Sequence, residues 1–353
     1  MSQKPYSHLW PGVPLAIGAA VLFGASTPLS KFLLGRIDPW MLAGLLYLAA
    51  GLGLFAMGML RKVLGHASTE ARLSAADYPW LAAVVLVGGV IGPLLLMYGL
   101  SRTGAGQASL LLNLEGLATM GIAWLVFREN VDRRLLIGAF AILSGAALLA
   151  WDGSRVGFDL GGLLIAGACL AWGIDNNLTR KLSLADPVQI AMIKGCVAGT
   201  VNLLLALALG AELPSATVVA AASFVGFFGI GVSLVMFMLG LRHLGTARTG
   251  AYFSLAPFIG AVLAIVLLQE SVTAQLVIAG ALMAIGLWLH LTERHEHEHV
   301  HAELVHDHSH VHDEHHRHVH EGEITEPHSH VHRHAPLRHR HPHYPDLHHR
   351  HTH

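Results

Sequence analysis

Long apolar stretches alternate with short polar breaks as far as residue 291, after which the chain turns almost wholly polar. Ten apolar stretches predict membrane-spanning helices: Pro14–Leu34, Trp40–Leu60, Trp80–Leu100, Ala105–Phe127, Leu135–Trp151, Leu160–Leu178, Val188–Leu209, Val218–Leu241, Thr246–Leu268 and Val272–Leu291. Each approaches the roughly 20 residues that an α-helix needs to cross the hydrocarbon core. The ten-residue alternating strands of a membrane β-barrel are not visible in the sequence. The expected fold is an all-α integral membrane protein, with the lipid bilayer as its first partner. Only Arg61 to Tyr78 makes a connection of any size.

Lys and Arg in the short connections orient such a chain. Lys4, Arg61, Lys62, Arg72, Arg128, Arg133, Arg134, Arg180, Lys181 and Arg242 fall on the N-terminal side; Lys31, Arg36, Arg102 and Arg155 fall on the other. The bias predicts a multi-pass protein of the inner (plasma) membrane with both termini in the cytoplasm.

The chain also repeats itself. A shift of 141 positions superposes Gly99–Leu148 on Gly240–Leu289 without a gap, pairing Gly104 with Gly245, Leu114 with Leu255, Glu129 with Glu270 and Gly145 with Gly286. Phe23-Gly24 matches Trp172-Gly173, and Asp38-Pro39 matches Asp186-Pro187. Asp before Pro starts a helix, because the carboxylate caps free N–H groups while Pro takes the first helical position. The expected organisation is a cytoplasmic N-terminus (1–13), two five-helix repeats (14–151 and 160–291) and a tail (292–353). Five is odd, so the halves must face opposite ways. Secondary transporters use this inverted construction, with the substrate site between the halves near the bilayer midplane.

Composition fits this picture. The chain has 353 residues, 53% hydrophobic and 13% charged, with net charge −1. Eleven of its 23 acidic residues lie in the tail, which leaves the body as poor in carboxylates as a bilayer requires. Cys169 and Cys196 lie in apolar segments outside any C-x-x-C spacing and read as packing thiols. No cleavable signal peptide is expected, because the first apolar stretch is long and no small-residue cleavage site clearly follows it. The nucleotide-binding pattern G-x-x-x-x-G-K-[ST] does not occur, so the expected driver is a proton or solute gradient.

With Asn113-Leu114-Glu115-Gly116 in the fourth span, Ser254-Leu255-Ala256-Pro257 in the ninth, and Glu129 and Glu270 ahead of the next helices, the chain resembles the EamA type of the drug/metabolite transporter superfamily. The resemblance covers Leu15 to Leu291. It implies ten helices around a central cavity and alternating access by small solutes, often for efflux. It leaves the cargo open and does not include the tail.

Polar residues at membrane depth are the candidate substrate-binding groups. Glu115, beside Asn113, is placed to bind a cation or exchange a proton, or else to make a structural hydrogen bond. Asp175, Asn176 and Asn177 near the end of the sixth span, like Ser26-Thr27-Pro28 in the first, are read as points where a helix loosens. Capping is the plainer alternative. Lys194 lies inside the seventh span and needs a partner, Glu115 or Asp175, in a pair that either opens on substrate arrival or is permanent. Arg248, Tyr98 and Tyr252 are further cavity candidates, with interfacial anchoring or packing as their plainer roles. Glu129 and Glu270 are assigned to capping and macrodipole roles at the helices that follow them.

From Thr292 onward the chain carries 23 of its 27 histidines, mostly as H-x-H. In extended chain, alternate side chains share one side. The candidate metal ligands are therefore His295, His297, His299, His301, His306, His308, His310, His312, His316, His318, His320, His328, His330, His332 and His334. Interspersed carboxylates favour cations, and imidazole suits Ni, Zn, Co or Cu. Lacking apolar periodicity, the tail is expected to be disordered without metal. A pH sensor or a solvated tail of no function are its other readings.

The functional expectation is a secondary-active transporter that exports a small polar metabolite, with a metal-binding or metal-sensing tail. The alternatives are a divalent-metal exporter fed by the tail and a non-transporting metal-responsive scaffold. No enzyme, no cofactor for transport and no nucleic-acid partner are expected; a homodimer is left open.

Overall fold

The computed structural model describes residues 11–65, 73–127, 131–151, 159–179, 182, 186–244 and 246–292, and the backbone of 296–301, 304–310, 328–334 and 337–342. Its body is all-helical. The first half comprises α1 (Gly12–Leu34), α2 (Pro39–Val63), α3 (78–102), α4 (105–127) and α5 (Arg133–Ala150). The second comprises α6 (Leu160–Thr179), α7 (Pro187–Ala208), α8 (216–244), α9 (246–268) and α10 (Ala274–Leu291). Among the described residues, nine helices are long and apolar enough to cross a membrane. The tenth, α6, has the length, but Asp175-Asn176-Asn177 lowers its hydropathy. It packs between α3 and α4, with Leu163 and Leu170 exposed on its outer side.

The third and fourth helices of each half are irregular. Within α3, Tyr78–Val84 passes through a π-helical turn, Val85–Ile91, into Gly92–Arg102. Within α8, Ala216–Val225 passes through Gly226–Val232 into Ser233–Leu244. The second π turn starts and ends 141 positions after the first, the shift of the sequence repeat. α4 breaks between Ala105–Leu111 and Leu114–Phe127, and α9 between Thr246–Phe253 and Ala256–Leu268.

These irregularities correct the sequence reading, which placed the loosening in the first helix of each half. α1 and α6 are continuous, and their polar side chains bond to helix carbonyls. Ser26 Oγ donates to Phe23 O at 2.6 Å. Asn177 Nδ2 donates to Gly173 O at 2.8 Å and, across to α4, to Thr119 O at 3.1 Å.

Packing relates the halves by a two-fold pattern. α1 lies on α8 and α9 as α6 lies on α3 and α4; α2 meets α8 as α7 meets α3. α2 with α7, α4 with α9, and α5 with α10 pair with their own counterparts. Arg134 at the start of α5 donates to Thr292 just past the end of α10, so that pair runs antiparallel. The α2–α7 seam is close enough that a Cβ on Gly195 would lie 2.8 Å from Gly51 Cα. Small residues at such seams replace the hydrophobic drive that lipid cannot supply.

The Asp-Pro starts behave as expected. Asp38 accepts from Trp40 N (2.8 Å) and Met41 N (3.2 Å), and Asp186 accepts from Val188 N at 2.8 Å. Each such cap contributes about 1 kcal/mol. Leu125, Phe140, Val262 and Ile278 point outward, as a lipid-facing surface requires, while Trp80, Trp151 and Trp288 are exposed near helix ends.

In the tail, Glu296–His301 (β1) pairs antiparallel with Leu337–Pro342 (β4), and Leu304–His310 (β2) pairs with His328–His334 (β3). H-x-H alternation matches the two-residue period of a strand. The rest of the tail, and its histidine side chains, lie outside the described residues.

Candidate functional site

Between the halves lies a cavity of about 920 Å³, bordered by every helix except α5 and α10. That volume is in the range of small-molecule sites. Its polar wall is built where α4, α6 and α7 meet. Asp175 of α6 and Lys194 of α7 form an ion pair through Asp175 Oδ2. Glu115, at the start of the second piece of α4, accepts from Asn176 Nδ2 at 3.0 Å through Oε1. Asn176 Nδ2 also donates to Thr119 Oγ1 at 3.1 Å. Asp175 Oδ1 is buried without a hydrogen-bond partner.

The π turn of α3 makes room for this wall. A Cβ on Gly88 would overlap the Asp175 carboxyl group, so only glycine admits the side chain here. Gly88 O accepts from Trp172 Nε1 (3.0 Å) and Tyr47 Oη (3.3 Å). Gly89 O accepts from Asn202 Nδ2 at 3.2 Å, and Asn202 Oδ1 in turn accepts from Trp40 Nε1 at 3.1 Å. A π turn thus supplies carbonyl acceptors and side-chain space at one spot, a recurring use of this irregularity.

The charges occupy one side only. At the shifts of the repeat, Ser26 stands where Asp175 does, Leu46 where Lys194 does and Ala256 where Glu115 does. The packing agrees, since Ser26 lies against Gly229 of the second π turn as Asp175 lies against Gly88 of the first. The wall beside Ser26 and Leu46 is aromatic: Phe23 and Phe237 both pack on Phe253, with ring centroids 5.4 Å and 4.8 Å away. The site therefore pairs a charged face with an apolar one.

Of the residues singled out from sequence, Glu115, Asp175, Asn176 and Lys194 come together here. Asn177 and four others do not line the cavity. Asn113 turns back at the break in α4 to donate to Leu110 O at 2.8 Å. Tyr98 stacks under the Arg102 guanidinium, 5.7 Å from the ring centroid. Tyr252 is half-buried off the cavity, and Arg248 is exposed at the start of α9. Sequence reasoning missed Tyr47, Trp172, Thr119 and the Gly88-Gly89 pair; Trp172 alone carried a signal, as the repeat mate of Phe23. Among the described residues no group of three or more His, Cys, Asp or Glu is placed to hold a metal. His290, in the last turn of α10, hydrogen-bonds with Leu135 O at 2.9 Å.

A two-fold helical bundle with an apolar outer surface and a charged cavity between its halves defines a membrane transport protein. The chain belongs to the EamA-like transporter family, whose model matches residues 10–151 and 159–292. It is 32% identical over 297 residues to an uncharacterized transporter of Methanothermobacter thermautotrophicus, covering 80% of this chain and 86% of that one. It is 26% identical over 221 residues to a probable terminal-alkyne amino-acid exporter of Streptantibioticus cattleyicolor, covering 62% of this chain and 74% of that one. A solved crystal structure with 17% sequence identity shares the fold at a TM-score of 0.58, covering 79% of this chain and 96% of the other.

Proposed function

We propose that the protein is a secondary-active exporter, in the inner membrane with both termini cytoplasmic, of a small polar metabolite bearing a primary amine. An amino acid with an apolar side chain fits best. The observation that carries this reading is the charge count of the cavity: Glu115 and Asp175 against Lys194 leave one negative charge uncompensated when all three are ionised. An incoming ammonium balances that charge; an amino acid also brings a carboxylate, which competes with Asp175 for Lys194, so for it the count closes only with one proton taken up by the site. The Phe23, Phe237 and Phe253 wall receives the apolar part. The exporter named among the relatives supports the same class. Exchange of the internal ion pair for a substrate ion pair links occupancy to the rocking of the halves.

The metal-exporter reading is weaker, because nickel, zinc and copper favour imidazole or thiolate ligands over carboxylate. Among the described residues, neither His nor Cys lines the cavity. The histidine tail is then an accessory that binds Ni, Zn, Co or Cu in the cytoplasm. The test is uptake of a radiolabelled mixture of L-amino acids into inverted membrane vesicles. Saturable uptake that is lost in Glu115→Gln and Asp175→Asn is expected. Flux of nickel or zinc in place of every amino acid would overturn the proposal.

A further inference from the structure

A carboxylate joins the two halves at an end of the bundle. Glu270 follows α9 in the second half, yet its carboxylate accepts from Ala105 N (2.6 Å) and Gly106 N (2.8 Å). These are the first two N–H groups of α4, in the first half. The sequence-based assignment of Glu270 to its own following helix is thereby corrected. Thr273 caps α10, its Oγ1 accepting from Leu276 N at 3.1 Å.

Three local features build the contact. Gln269 adopts φ 54°, a left-handed conformation uncommon for a residue with a Cβ, and its side chain donates to Val266 O at 2.7 Å. This turn carries the chain back toward α4. Next, a Cβ on Gly104 or Gly106 would lie 3.3 Å or 3.1 Å from Glu270 Oε2, so the two glycines let the carboxylate reach the backbone. Finally, Lys31 at the end of α1 donates to Leu100 O (2.7 Å) and Thr103 O (2.8 Å), while Thr103 Oγ1 donates to Asp159 Oδ2 at 3.0 Å. Those bonds fix the α3–α4 turn that presents the N–H groups.

The shape of the cavity gives the contact a role. Its lining reaches Thr179, the last residue of α6, and Leu241 near the end of α8. Toward Glu270 the lining ends at Ser30 and Met97, only 2% and 3% exposed. The passage is shut at the Glu270 end. There the first piece of α4 lies on the second piece of α9, with Ser109 against Gly260.

We propose that Glu270 is a gating residue, a latch that holds α4 against α9 and keeps this end of the passage closed until the halves rock. The carboxylate accepts two charge-assisted hydrogen bonds at the partly positive start of a helix, which makes the latch stronger than a neutral contact and still reversible. The breaks in α4 and α9 lie between this end and Glu115, so the latched pieces can part while the charged wall stays assembled. The latch rests on the alternating-access reading and on no particular solute.

The test places one reporter thiol, Ser30→Cys, in a background with Cys169→Ala and Cys196→Ala, and adds a membrane-impermeant maleimide to one face of sealed vesicles at a time. With Glu270 intact, labelling is expected chiefly from the face on which the termini lie. Glu270→Ala is expected to raise labelling from the opposite face about tenfold, the factor that roughly 1.4 kcal/mol represents. Gly106→Ala, which crowds the carboxylate without removing it, is expected to raise it less. An unchanged rate from that face in both variants overturns the proposal. If Glu270→Ala fails to reach the membrane, Gly106→Ala and Glu270→Gln decide on the same readout. Labelling needs no transported solute, so this result stands apart from the amine-substrate reading.

Discussion

Lys194 sits at membrane depth because Asp175 pairs with its ammonium, and Asp175 fits there because residue 88 has no side chain. Removing one partner strands the other, at a cost of about 3–5 kcal/mol, whereas removing both relieves most of that cost. Asp175→Asn alone and Lys194→Met alone are therefore expected to lower the thermal midpoint in detergent clearly. The double variant should recover most of the midpoint without recovering transport. Gly88→Ala is expected to cost about 1–3 kcal/mol through overpacking and to abolish transport. Gly231→Ala should be mild, because its Cβ would lie 3.4 Å from Ala50, an ordinary contact. The sequence narrowed the partner of Lys194 to Glu115 or Asp175. The choice between them depends on helix rotation: neighbouring residues on α6 point about 100° apart, so Asp175 meets α7 while Asn176 meets Glu115 on α4.

Among the elements, the starts of α2 and α7 were the most legible, since each is announced by an Asp-Pro pair whose carboxylate closes on nearby N–H groups. Asp38→Ala is expected to lower stability by about 1 kcal/mol without altering substrate preference, as compared by thermal unfolding and competition for uptake. The irregular turns were harder to read. Nothing in Val85–Ile91 or Gly226–Val232 taken separately marks a π turn, because both are simply apolar and rich in glycine. Their origin is packing: Gly88 faces Asp175 and Gly226 faces the backbone of Leu46, so each turn is shaped by the helix from the other half that crosses it. Pro28 had the opposite effect on the reading. It marked a break in α1, yet that helix runs on through it among α8, α9 and the second π turn. The Gln269 turn was equally hidden, since its left-handed φ follows from the reach of Glu270 to α4.

At the scale of the molecule, the bundle closes with α10 at Leu291, and the histidine segment follows it. A truncation after Thr292 is expected to leave the thermal midpoint and the uptake of labelled amino acid unchanged while removing nickel and zinc binding, as read by titration calorimetry. Loss of transport in that truncation would return the metal-exporter reading to first place. Hydropathy and the 141-residue repeat were enough to reveal an all-helical membrane body made of two related halves, because lipid imposes its length and polarity on every helix separately. Those signals are local or periodic, so they survive in a linear string. Which carboxylate neutralises Lys194, why Asn113, Tyr98, Tyr252 and Arg248 stay off the cavity, and why Glu270 serves the opposite half were settled only when the helices packed. Each depends on the rotation of one helix against a neighbour distant in sequence, and that rotation is fixed by close contact across the whole bundle.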